Sequence, residues 1–428
     1  MPTTSAEPSP PAPPRRARRA RRRARVLLVL LLLTGSAWWA GCGIAVEQPS
    51  TARSAPTAVV EGVRTVLRQR AVTLRAGDRE GFLATLSPDA PQEFVDRQRT
   101  YLANTTQLPL QTYRSTLEVD TLRAHGSGWD AVVRVSLRMA GFDRRPVQSR
   151  LRMHFTPTDD GWRVGEDHDG TAHTTAFQHP WEDTELVVRS GTGVLLISDE
   201  DSSRHAGPVL DSVERGLAEV LSRVPDPWQR SVVVYALSGT ELMEALPGLP
   251  GGDADRLDGV AFQVHGGSGG GQLAGVRFAL HPRMLTATPE VRDRLVRHEL
   301  THVVLGAVDD PLPVWLSEGI AEYVSVRSLP PEDRLVSAAA VAAARAGVET
   351  LPEDETFNGE HSGAHYGLAW WACETVAAQF GEDRLWSLVD AMATRGGTSA
   401  TDVLQEQTGL DEQALAQLAA QRILGTYA

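Results

Sequence analysis

The 428 residues carry a formal charge of −12, from 54 acidic and 42 basic side chains, and every basic one is arginine. The first 41 residues hold eight arginines against one acid, worth +7, which leaves −19 on the remainder. A body this acidic, with its positive charge confined to one end, argues against a nucleic-acid partner. The length allows two domains and a sizeable core, and 42% hydrophobic against 22% charged residues describes an ordinary globular chain. The two cysteines, Cys42 and Cys373, are too far apart in expected location to suggest a disulfide. Cys373 falls in an apolar helical stretch, where it reads as a small core side chain.

In chain order, residues 1–25 read as a disordered, proline-rich and then basic leader. The apolar run 26–46 follows the arginine cluster Arg15–Arg25, a polarity that keeps the leader in the cytoplasm and exports the body. Trp38-Trp39-Ala40-Gly41-Cys42 resembles a bacterial lipoprotein box, with Trp39 standing where leucine is usual. The same run is long enough to span a bilayer as an uncleaved signal anchor. Either tether places the body on a membrane, on its extracytoplasmic side.

Residues 47–56 form a polar linker, and an accessory α+β domain is expected over 57–183. Val59, Val60, Val63, Val66 and Leu67 lie at helical steps, and a short helix is expected near Gly81–Leu86. Strands follow, with Val133, Val135, Leu137 and Met139 alternating, and then Leu151, Met153 and Phe155. Asp160-Gly161-Trp162 reads as a hairpin turn. Helices ahead of an antiparallel meander resemble the cone-shaped fold of the nuclear-transport-factor-two-like family. His154, His168 and His173 are read as surface or strand residues, not ligands.

The second domain is expected over 190–428. Val194–Ile197 is a strand, Pro208–Leu221 an amphipathic helix and Ser231–Leu237 a buried strand. Gly259–Val264 and Val276–His281 are two more strands, joined across the glycine-rich stretch Gly266–Gly271, which reads as a flexible linker or a flap. His265 and His281 flank it as non-ligands. A helix then runs from the Thr288 N-cap through Pro289 and Glu290 to a stop at Gly306. Its stripe Val291, Leu295, His298, His302, Leu305 puts the histidines on the inward edge. A later helix begins at His365 and carries Tyr366, Trp370, Cys373 and Val376 inward until Gly381, and helices over Asp383–Ala393, Ala400–Gln407 and Asp411–Leu424 close the domain.

The chemistry lies in HELTH at 298–302 and in PVWLSEGIAEYV at 313–324. His298 and His302 are four residues apart, so one helix face carries both toward a single ion. Glu299, beside the first ligand, is placed to act as a general base without ligating. WLSEGIAEY resembles the ligand helix of the gluzincin metallopeptidases, and the whole pattern is most similar to the compact peptidase MA-like domains. That resemblance implies one Zn2+ per chain, held by His298, His302 and Glu318 with a fourth position open, and Glu322 accepting a hydrogen bond from a ligating histidine. It also implies a tyrosine donor to the tetrahedral intermediate, for which Tyr366 is the candidate, alongside its plainer role in the core stripe. Glu318 and Glu322 form an i,i+4 like-charge pair, a cost that a cation and an imidazole nearby would reverse.

The expectation is therefore a membrane-tethered, extracytoplasmic zinc metallopeptidase acting on a peptide or protein substrate. Two alternatives stay open: a non-proteolytic zinc-binding envelope module, against which Glu299 argues, and a metal-dependent amidase of another envelope substrate.

Overall fold

The structure is a computed structural model that describes residues 55–166, 179–182, 184–267 and 271–428. The leader with its apolar run and Cys42, most of the linker, His168, His173 and the middle of the glycine-rich stretch lie outside the described residues. Among the described residues, no helix is long and apolar enough to cross a membrane.

The valine stripe Val59, Val60, Val63, Val66, Leu67 buries one face of α1 (Thr57–Ala76), and α2 (Arg79–Leu83) follows. Next comes α3 (Gln92–Gln107), a helix absent from the sequence expectation. Its inward face mixes Phe94, Tyr101 and Leu102 with buried Gln98, Asn104 and Thr105, which hides the hydrophobic period. The buried amide is satisfied, as Asn104 Nδ2 donates to the carbonyls of Trp181 at 3.1 Å and Thr184 at 2.6 Å.

These helices pack on an antiparallel sheet built from β1 (Leu110–Leu117), β2 (Arg123–His125), β3 (Gly128–Met139), β4 (Val147–Thr158) and β5 (Gly161–Glu166). The order is β1-β3-β4-β5, with β2 paired to the start of β3. Val133, Val135, Leu137 and Met139 point into the core as their alternation predicts.

The second sheet contains β6 (Leu186–Ser190), β7 (Val194–Asp199), β8 (Val232–Ala236), β9 (Gly259–His265) and β10 (Leu273–Leu280), with α4 (Ala206–Leu221) between β7 and β8 and the short α5 (Glu241–Glu244) after β8. The order is β6-β7-β8-β10-β9; β7, β8 and β10 run parallel and the two edge strands antiparallel. Its central strands are apolar on both faces, as a sheet covered on both sides requires. On one face Val194, Leu196, Val232, Val234 and Phe278 meet α4 and the helices that follow. On the other, Leu195, Ile197, Val233 and Tyr235 share a core with Val63, Phe82, Phe94 and Phe155 of the accessory layer. Ser54–Ala428 accordingly packs as one compact unit.

The remaining chain is helical: α6 (Pro289–Leu305), α7 (Val314–Val326), α8 (Ala338–Ala346), α9 (Ser362–Phe380), α10 (Glu382–Ala393), α11 (Ala400–Thr408) and α12 (Glu412–Tyr427). Only α8, a run of alanines that buries Ala340 and Ala344, was not expected from the pattern. The class is mixed α+β.

Candidate metal centre and active site

α6 begins at Thr288 with Pro289 in its first turn, although the threonine side chain makes no capping bond, and ends at Gly306, whose φ of 56° stops the helix. Its core face is Val296, Leu300, Val303 and Val304, all fully buried against α4, α7 and the sheet. The expected stripe from Val291 through Leu295 is a different face. Val291 is 54% exposed and lines a cleft with Leu295 and His298, while Leu295 also packs against the core.

α7 starts behind Pro313, its first free N–H donating to Asp354 Oδ1 at 2.8 Å. Trp315, Leu316, Ile320 and Tyr323 anchor it in the core and hold Glu318 toward α6. Gly319, next to Glu318, faces α9: a Cβ there would stand 2.5 Å from the Ala369 carbonyl oxygen and 2.9 Å from Cys373 Sγ. The glycine lets α9 lie close enough to bring Tyr366, in its first turns, to the same centre.

His298, His302 and Glu318 converge as a set that can hold a metal ion. Glu318 Oε2 lies 3.2 Å from His298 Nε2 and 3.6 Å from His302 Nε2, and the two Nε2 atoms are 3.3 Å apart. Donors at about 2.0–2.1 Å from a tetrahedral ion stand about 3.3–3.4 Å from one another, so the separations match such an ion. Glu318 Oε2 is buried and makes no hydrogen bond of its own despite this crowding, which also fits a shared cation.

Behind each imidazole stands a carboxylate. Glu322 Oε1 is 3.4 Å from His298 Nδ1, and its other oxygen accepts from Arg294 at 2.8 Å. Asp309 Oδ2 is 2.9 Å from His302 Nδ1 while Asp309 Oδ1 accepts from Ser317 at 2.7 Å. Such pairs fix tautomer and ring orientation. Glu322 was expected and Asp309 was not. The signal for Asp309 was there, because the second histidine also needs an acceptor and the loop joining α6 to α7 offers Asp309 and Asp310.

Burial disfavours a charge on His298, yet Glu318 and Glu322 outweigh it and push its pKa up to about 10. His302 is held well above the usual imidazole range, with Asp309 overcoming burial. Glu318 is pulled below the usual carboxylate range by the two histidines against the effect of burial, and Glu322 falls to about 2 for similar reasons, with Arg294 helping. Glu299 is the exception. Burial pushes its carboxyl up, and the histidines only partly offset this. A carboxylate made more basic in this way is suited to taking a proton.

Glu299, the ligand set and Tyr366 line a cavity of about 710 Å³. A second cavity of about 390 Å³ opens on His298, Glu299 and Tyr366 from the Val291 side. β9 borders the larger cavity, and a Cβ on Gly259 would be 3.4 Å from Glu299 Oε1. Tyr366 is 6.1 Å ring to ring from His298, and its hydroxyl donates to Asn358 Oδ1 at 3.3 Å. His265 lines the same cavity outside the ligand set, and His281 accepts from the Arg283 backbone N–H. A second convergence, His125, Asp130 and His154, lies on β2, β3 and β4. There the two Asp130 oxygens face one imidazole each, at 3.3 and 2.7 Å, which accounts for the cluster as paired side chains.

Comparison with known proteins adds no relative: no family model matches the chain, and no curated protein matches it.

Proposed function

We propose that the chain is a zinc-dependent peptidase of the gluzincin kind, tethered to a membrane and acting outside the cytoplasm. The observation that carries this is the convergence of His298, His302 and Glu318 at tetrahedral spacing, with a buried, non-ligating Glu299 facing the same cavity. A zinc ion held by His298, His302 and Glu318 would supply Lewis acidity toward a carbonyl and would lower the pKa of water in the site towards ~7. Glu299 takes the proton of the attacking water, its basicity raised by burial, and returns it to the leaving amine. Tyr366 presents its hydroxyl to the carbonyl oxygen as charge develops there. β9 is an edge strand, and its outer side offers backbone groups to an extended substrate. The tether rests on the arginine cluster and the apolar run, by lipidation at Cys42 or by spanning.

The deciding experiment replaces Glu299 by glutamine. Glu299→Gln should keep stoichiometric zinc while kcat falls by at least ~100-fold, the usual contribution of a general base. Near-normal turnover in that variant, or zinc missing from the purified wild type, rejects the proposal.

A further inference from the structure

The larger cavity has two unlike walls. One is the metal centre. The other comes from the accessory sheet, where Val147, Gln148 and Ser149 at the start of β4 face across to β9. Val147 packs with Val264, Ala274 and Phe262, so an accessory strand and the edge strand beside the metal share a small core. Leu246 and Leu249 extend the apolar surface.

This wall is fixed in place by the loop between β3 and β4. The Arg144 backbone N–H donates to the Ala274 carbonyl at 2.8 Å, and Arg144 NH1 to the Trp228 carbonyl at 2.7 Å. Ser231 Oγ donates to the Gly141 carbonyl at 2.6 Å. Asp143 pairs with Arg277 at 3.0 Å with both side chains 1% exposed, and Arg277 also donates to the Tyr235 hydroxyl at 2.9 Å. A buried, hydrogen-bonded ion pair tolerates little displacement of either partner. The wall is therefore preformed.

Its chemistry is selective. Among the described residues, no arginine lines the larger cavity. Of its acids, Glu299 and Glu318 belong to the metal centre, Asp309 is committed to His302 and Ser317, and Asp310 accepts from Gln263 at 3.0 Å. Away from the metal position, a polyanion meets only the imidazoles of His179 and His265 on this lining. A large apolar side chain finds Val147, Phe262, Val264, Leu246 and Leu249, in a volume of the size that holds small ligands.

We infer that the accessory sheet is a specificity wall: it selects extended polypeptide segments that place a large aliphatic or aromatic side chain against Val147 and Phe262, next to the bond that is cut. This rests on the peptidase reading above and assigns the substrate class of the same site.

The test uses the full-length, zinc-loaded protein and a library of end-blocked peptides randomised around the cleavage site, read by mass spectrometry. Wild type should favour Leu, Phe, Met or Val at one fixed position. Val147→Ala enlarges the wall and should move the preference toward larger side chains, whereas Val147→Asp should lower kcat/KM for the best apolar peptide by at least about tenfold, mainly through KM. Zinc content should be unchanged in both, and Val147→Ala alone suffices should Val147→Asp not fold. Wild-type cleavage without positional preference, or a Val147→Ala profile identical to wild type, overturns the inference and leaves the peptidase reading intact. No hydrolysis of any peptide by zinc-loaded wild type overturns that reading and the wall with it.

Discussion

At His302 the nitrogen facing away from Glu318 hydrogen-bonds Asp309 at 2.9 Å, and at His298 the corresponding nitrogen stands 3.4 Å from Glu322, an ion-pair distance without a hydrogen bond. Without metal, Glu318 and Glu322 keep His298 protonated at neutral pH, its pKa pushed up to about 10, and Asp309 shifts His302 in the same direction. A metal ion must displace those protons, so affinity rises with pH until the histidines deprotonate unaided. Zinc titration of the metal-free protein at neutral pH, by calorimetry in buffers of differing ionisation enthalpy, should release about two protons per ion. Asp309→Ala should bring that closer to one and weaken zinc on the order of 10–100-fold. A buffer-independent enthalpy, or an Asp309→Ala protein with wild-type affinity, would falsify this account of the second histidine.

The spacing of HELTH and the Glu318 segment made the convergence of His298, His302 and Glu318, with Glu299 beside it, legible in sequence, because a candidate metal site is built from a few fixed offsets. Asp309 escaped because its partner sits across a loop, and only the demand that each ligand be oriented points to it. The faces of α6 were harder. Apolar residues on one stripe read as core, but a helix bordering a cavity carries two apolar stripes; Val291 belongs to the cavity, and Leu295 lies between cavity and core. α3 failed for the opposite reason: part of its buried face is polar and satisfied by hydrogen bonds.

Among the elements, the α7–α9 crossing sets the geometry of the site. Gly319 fits that crossing with no room for a methyl, the obstacle being the Ala369 backbone and not a flexible side chain. Gly319→Ala should therefore force the helices apart, at a cost of about 1–3 kcal/mol. Glu318 and Tyr366 sit on the two helices that separate, so activity should fall beyond what the lost stability explains. Urea denaturation together with turnover of the folded fraction measures both. A variant matching wild type in each would show that α9 is free to shift without consequence.

For the whole molecule, the helices α1 and α3 and the accessory sheet cover the face of the second sheet that carries Leu195, Ile197, Val233 and Tyr235. Residues 190–428 alone would expose that apolar face and strip Arg277 of its Asp143 partner. This fragment, expressed by itself, should show no cooperative thermal unfolding and should aggregate. A soluble fragment with a sharp transition would show that the shared core is dispensable. The joint was invisible in sequence, where both halves read as self-contained patterns and nothing local marks Asp143 and Arg277 as partners.

The cavity is walled by strand ends from two sheets, yet the metal centre is written in only two short stretches of one half of the chain. On the proposed reading, what the protein accepts and how it reacts are thus encoded far apart. Substitutions around Val147–Ser149 can accumulate without touching HELTH or WLSEG. On the proposed reading, a lineage descended from this chain would be free to change its diet while keeping its chemistry, and its fastest divergence should fall at the start of β4, away from the HELTH segment.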